Sequence, residues 1–118
     1  MADAYAIMVV SGEPHRLYMS YITAIGLTAT GASVYMFFTM EGLKGVTKEA
    51  EALTLPGQKP LGYYIGNLLE MEGVELAACS FGMNVMGVTK DRLLGAVKVS
   101  GVTEFAVKSG QAKGTMVF

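Results

Sequence analysis

The chain holds a single cysteine, Cys79, and a single histidine, His15. One cysteine excludes an internal disulfide and any Cys-x-x-C pair, and with them a self-contained disulfide oxidoreductase. One Cys and one His in no recognisable spacing fall short of a metal site built from one chain, which would need ligands donated across an oligomer interface. No metal and no cofactor is expected. Gly-x-Ser-x-Gly is absent, and "SGEPHR" at 11–16 has one glycine, matching neither a dinucleotide fingerprint nor a P-loop. Charge is scarce as well. Nine Lys plus Arg nearly balance ten Asp plus Glu for a net charge of −1, and the basic residues are scattered, which excludes a nucleic-acid groove and a polybasic membrane patch. "MADAYAIMVVSGEP" has no basic segment leading a long apolar core, so a cytoplasmic, reducing setting is expected.

What the chain does have is apolar surface. Its 118 residues fit one domain, 1–118, yet they are 52% hydrophobic and include nine methionines, with mean hydropathy +0.42. That is rich for a monomer with so much surface to cover, and predicts burial against other copies in a homo-oligomer. The uncharged run from Leu17 to Met40 is long enough to span a bilayer. It is broken by "TATGAS" and diluted by Thr, Ser, Tyr and Gly, so a buried helix followed by a buried strand is the better reading, and membrane contact is not expected.

Short continuous apolar runs alternate with helix-period segments. "AYAIMVV" at 4–10 reads as a strand buried on both faces. Pro14 opens a helix that runs to about Thr30, with Gly31 beyond it and Leu17, Tyr21, Ala24, Ile25 and Thr28 on one face. "ASVYMFFT" at 32–39 is a second strand. The polar, glycine-bearing segment 40–60 reads as a loop with a short helical turn and a candidate flap. An amphipathic helix follows from Leu61 to about Met71, its apolar face Leu61, Ile65, Leu68 and Leu69. "VELAAC" at 74–79 is a third strand, Thr89 caps a short helix through Leu94, "VKVSGV" is a fourth strand, 102–111 a helix and "GTMVF" a last strand. The alternation predicts an α/β fold: a single Rossmann-like three-layer domain, its mostly parallel sheet of about five strands flanked by helices. Reacting groups in such folds gather at the carboxyl ends of the strands, here the loops 11–15, 39–45 and 79–87.

Cys79 stands at one of those ends, where Ser80, Phe81 and Gly82 can begin a helical turn whose backbone N–H groups point back at the sulfur and favour thiolate. Thiolate is the species that attacks an electrophile or carries a transferred sulfur atom. Free cysteine is also among the most commonly buried residue types, so both a reactive thiol and an inert core residue are open. His15, at the first helix start, is a candidate acid, base or anion contact, though no spacing places it within reach of Cys79. Gly12 and Glu41 are candidates for shaping the same pocket, and a carboxylate close to the sulfur would oppose its activation. Met83 and Met86 read as packing.

These residues together resemble a known family. The first strand with "SGEPHR", the strand and loop "VYMFFTMEGLKGVTK", and above all "AACSFGMNVMGVTKDRL" are similar to the DsrE/DsrF-like proteins, which include sulfur-relay proteins of the TusD type. Cys79, Met83, Met86 and Gly87 carry the characteristic order, a cysteine after a strand and then methionine and a Met-Gly step. Where the family often has Gly-Gly, this chain has Ser100-Gly101. The resemblance implies a Rossmann-like domain assembled into trimers or hexamers, with the cysteine as a persulfide carrier between sulfur donor and acceptor proteins. Two other classes stand beside it: a non-catalytic oligomeric small-ligand-binding protein with a structural Cys79, and a thiol redox sensor whose resolving thiol comes from another chain.

Overall fold

Every strand of the sheet runs in the same direction. The computed structural model describes residues 3–118, and within them the apolar runs become β1 (Ala4–Val9), β2 (Ser33–Phe38), β3 (Val74–Cys79), β4 (Val97–Ser100) and β5 (Gly114–Val117). All four pairings are parallel, in the order β4-β3-β2-β1-β5. Parallel strands need long crossovers, and α1 (Pro14–Ala29), α2 (Leu61–Leu69) and α4 (Val102–Gln111) supply them. The seven-residue α3 (Ser80–Met86) starts directly after Cys79.

The period of two along each strand sorts side chains into two unequal cores. Ile7, Val9, Val34, Met36, Phe38, Leu76 and Ala78 face one way and bury against Leu17 and Tyr21 of α1 and Leu61, Ile65 and Leu68 of α2. Ala6, Tyr35, Phe37, Ala77 and Cys79 face the other way and meet Phe105 of α4. One ten-residue helix covers the second face, so this is where the structure is thinner.

Several boundaries differ from those read in the sequence, each for a local reason. β1 stops at Val9 because the Val10 and Ser11 N–H groups both turn to the Phe118 carbonyl, each at 3.1 Å. The start of α1 at Pro14 agrees with the sequence reading, and Glu13 caps it, its carboxylate accepting from the Arg16 N–H at 3.1 Å. Leu69 is 40% exposed rather than part of the α2 face. At about 100° per residue, Leu61, Ile65 and Leu68 fill a narrow stripe, and Leu69 lies on its flank at the helix end. The expected helix from Thr89 to Leu94 is only a 3₁₀ turn, Lys90–Arg92. Leu93 is drawn out into an antiparallel bridge with Thr47, and the Leu94 N–H donates to the Val46 carbonyl at 2.9 Å.

Segment 40–60 holds two 3₁₀ turns, Met40–Gly45 and Lys48–Ala52, in place of one loop with a single turn. It is also fastened down. The Tyr21 hydroxyl donates to the Gly45 carbonyl at 2.6 Å, and the Tyr18 hydroxyl reaches the Lys59 carbonyl at 2.7 Å and that of Leu53 at 3.1 Å. Leu43, Val46 and Ala50 belong to the larger core. The flap read from its length is therefore part of the packed body. No helix among the described residues is long and apolar enough to cross a membrane, and the run from Leu17 to Met40 resolves into α1 and β2.

Candidate functional site

Because the strands are parallel, their carboxyl ends share one edge, and the loops 11–15, 39–45 and 79–87 meet there. Two close approaches lock them together. Gly42 sits directly on the Val9 carbonyl, where any Cβ would collide, and its N–H donates to the Val10 carbonyl at 2.8 Å. Gly82, on the first turn of α3, has Thr39 Oγ1 and the Met40 nitrogen 2.6 and 2.7 Å from where a Cβ would stand. Met40 has φ 52°, the one left-handed backbone outside glycine among the described residues, a conformation that costs on the order of 1–3 kcal/mol and is held by its surroundings.

Cys79 is the N-cap of α3. Its backbone stays extended at φ −71° and ψ 121°, and its Sγ accepts a hydrogen bond from the Gly82 N–H at 3.4 Å. Of the three residues expected to present N–H groups to the sulfur, Gly82 makes this contact. Ser80 is exposed, and Phe81 projects outward at 67% exposure. The sulfur itself is nearly closed off: Cys79 is 4% exposed, in the apolar cluster with Phe37, Ala77 and Phe105 and the half-buried Met8. Two clefts, of about 440 and 470 Å³, open elsewhere on the molecule, and Cys79 lines neither.

The other candidates stand apart from the sulfur. His15 is on α1, the layer on the opposite face of the sheet from the Cys79 cluster, with its imidazole exposed and 3.3 Å from the Glu13 carboxylate. Glu41 pairs with Lys44 at 2.9 Å on the 3₁₀ turn. Gly12 lies against the Glu41 carbonyl and the Lys44 stem and lines the 440 Å³ cleft. Met83 packs into the larger core and Met86 is half-buried at its edge. No group of three or more His, Cys, Asp or Glu gathers among the described residues.

A polar cluster beside Cys79 escaped the sequence reading. Glu104, in the first turn of α4, accepts hydrogen bonds from Ser100 at 2.6 Å and Tyr35 at 2.9 Å, and lies 3.2 Å from the Lys98 ammonium. Lys98 also pairs with Glu75, and Lys108 of α4 reaches Glu75 at 3.4 Å. Both lysines lie over the Tyr35 ring. Hydrogen bonds from Ser100, then Tyr35 and Lys98, hold the Glu104 carboxyl down to about 2, while burial pushes the Tyr35 phenol up to about 12. Ser100 is the β4 neighbour of Cys79 in the register. The one hint in the sequence is a serine four residues before a glutamate at a helix start; the tyrosine is 69 positions away.

The fold has counterparts among solved structures. The protein of unknown function MTH1491 from Methanobacterium thermoautotrophicum superposes with TM-score 0.77 at 16% identity, over 97% of this chain and 98% of that one. The ychN protein from E. coli superposes with TM-score 0.73 at 19% identity, over the full length of both. At such identities these likenesses speak to the fold. No curated protein matches the chain by sequence. The family model of the DsrE/DsrF-like family matches residues 3–118, essentially the whole sheet and every helix described above, and the chain belongs to that family.

Proposed function

We propose that the protein is a sulfur carrier that relays sulfane sulfur as a persulfide on Cys79. The observation that carries this reading is the placement of the sulfur: at the carboxyl end of a central parallel strand, receiving the Gly82 N–H from the first turn of the following helix. That N–H can donate to the sulfur as thiolate, before it accepts a sulfur atom and again after it hands one on. The Cys79 thiolate attacks the outer sulfur of a donor persulfide, forming Cys79–S–SH as the donor's S–S bond breaks and the donor leaves as thiolate. An acceptor thiolate then attacks the outer sulfur of Cys79–S–SH and returns Cys79 to thiolate. Each step exchanges one S–S bond for another, with no net oxidant. The apolar composition supports burial between copies in a homo-oligomer, and family membership supports the chemistry and implies a trimer or hexamer working with donor and acceptor proteins in the cytoplasm.

Incubation with inorganic polysulfide followed by intact mass measurement tests this. The wild type gains one sulfur atom and Cys79→Ser gains none. An absent gain, or the same gain on both, removes the proposal.

The 4% exposure of Cys79 favours a second reading, a non-catalytic oligomeric binding protein in which the thiol is packing. It requires Cys79 in the native protein to alkylate no faster than a buried thiol reached only through unfolding.

A further inference from the structure

The 440 Å³ cleft is lined by Met40 and by Met86, the last residue of the helix that Cys79 caps. Its walls come from the start of α1, both 3₁₀ turns of segment 40–52, the end of α3 and the segment after it. The size is within the range of about 300–1,000 Å³ typical of small-molecule sites, and such sites combine an apolar lining with a few placed polar groups. Here the lining is Leu43, Leu53, Met86 and Val88 among others. The buried Thr47 hydroxyl is already used, donating to the Lys44 carbonyl at 3.3 Å. An apolar body is what this interior can satisfy.

The charges lining the cleft are Lys44, Glu49 and Arg92, two cations against one carboxylate. The cations come from different elements. Arg92 donates to Glu49 Oε1 through one terminal nitrogen at 2.7 Å, and Lys44 holds Glu41 at 2.9 Å. A guanidinium has five N–H donors and an ammonium three, so both keep donors for a further acceptor. All four charged side chains are substantially solvent-exposed, so the two cations can turn toward an occupant without breaking a buried pair.

We infer that this cleft is a binding site for an alkyl carboxylate, with the tail against Leu43, Leu53, Met86 and Val88 and the head group on Arg92 and Lys44. The site names a ligand class for the binding-protein reading, and it operates equally in a protein whose Cys79 carries sulfur. The occupant would also touch Met40, whose strained backbone abuts Gly82 one turn from Cys79.

Titration calorimetry with hexanoate, octanoate, 1-octanol and octyltrimethylammonium tests it on the full chain. Affinity rises about fourfold per added methylene as the tail fills the cleft. Octanoate binds roughly tenfold tighter than the alcohol or the ammonium of equal length, the scale of a charge-assisted hydrogen bond. Arg92→Gln, at an exposed position, cuts that tenfold preference, costing octanoate more affinity than 1-octanol. Val88→Phe, which fills the cleft, weakens every member of the series. Cys79→Ser leaves octanoate binding unchanged, so loss of the sulfur-carrier reading and loss of this site register separately. No saturable binding below about 10 mM, equal affinity for the three head groups, or octanoate binding indifferent to both Arg92→Gln and Val88→Phe overturns the inference.

Discussion

Ser100 donates a 2.6 Å hydrogen bond to Glu104 from the β4 position that lies beside Cys79 in the sheet. Glu104 thereby ties the first turn of α4 to β4, and through Tyr35 to β2. The next residue on the helix, Phe105, shares the apolar cluster that seals the sulfur. The latch and the cover of the thiol are thus adjacent residues. Segments with few buried contacts open locally at free energies well below global unfolding, and α4 is the single helix on this face. Glu104→Gln keeps the shape and removes the charge that Lys98 answers. The alkylation rate of Cys79 in the native protein is expected to rise roughly three- to tenfold. A rate unchanged from wild type would separate α4 from thiol access.

The same latch gives an acid signature. Glu104 is held at about 2 against an ordinary 4.5. A depressed folded-state pKa means that the stability contributed by the ionised group is complete above about 4.5 and is lost as pH falls toward about 2. Urea midpoints of wild type and Glu104→Gln should therefore differ most at neutral pH and converge as pH falls through this window. On the alkaline side the sign reverses for Tyr35, raised by burial from 10 to about 12. Its contribution is present below about 10 and is lost between 10 and 12, and Tyr35→Phe should flatten that limb. Parallel curves across the acid window would mean that the Glu104 hydrogen bonds are not maintained in solution.

Gly82→Ala sets two effects of known sign against each other. Alanine in a helix is favoured over glycine by about 1 kcal/mol. At Gly82, however, the new Cβ would stand 2.6 Å from Thr39 Oγ1 and 2.7 Å from a backbone nitrogen that cannot swing aside, and such overpacking costs about 1–3 kcal/mol. The collision wins. The variant should unfold at lower urea, by about 1 kcal/mol or more, with Cys79 more accessible because the Gly82 N–H is pushed off the sulfur. A stabilised variant would show that α3 does not press on the Thr39–Met40 backbone.

Much of this architecture was legible because its signals are local. A strand buried on both faces is a continuous apolar run, and Val74–Cys79 ends where "VELAAC" ends. Val102–Gln111 follows from helix-period spacing after Ser100-Gly101. The thiol could be placed at a strand end for the same reason. Which way it points could not, since that depends on the pleat: Cys79 falls on the α4 face, while His15 sits on the helix layer of the other. The Glu104 cluster joins residues from β2, β3, β4 and α4, and no window of sequence contains them. Segment 40–60 looked loose because its polar composition is that of a loop. It is held by Leu43, Val46 and Ala50 in the core and by two tyrosines of α1, far behind it in the chain.

Those two tyrosines supply a final test, because their environments differ. Tyr21 is fully buried and its hydroxyl is the partner of the Gly45 carbonyl. Tyr21→Phe removes the donor and leaves that carbonyl unpaired in the core, a cost of about 1–3 kcal/mol. The Tyr18 hydroxyl is only part-buried where it meets Lys59 and Leu53, and water can replace it, so Tyr18→Phe should cost about 0.5–1.5 kcal/mol. Local opening should show the reverse order. Tyr18 fastens the stretch between Leu53 and Lys59, whose residues are largely exposed, so thermolysin should cut there faster in Tyr18→Phe than in Tyr21→Phe under native conditions. If both variants lose stability equally and neither is cut within 53–59, the segment owes its order to Leu43, Val46 and Ala50 in the core rather than to the hydroxyl bonds.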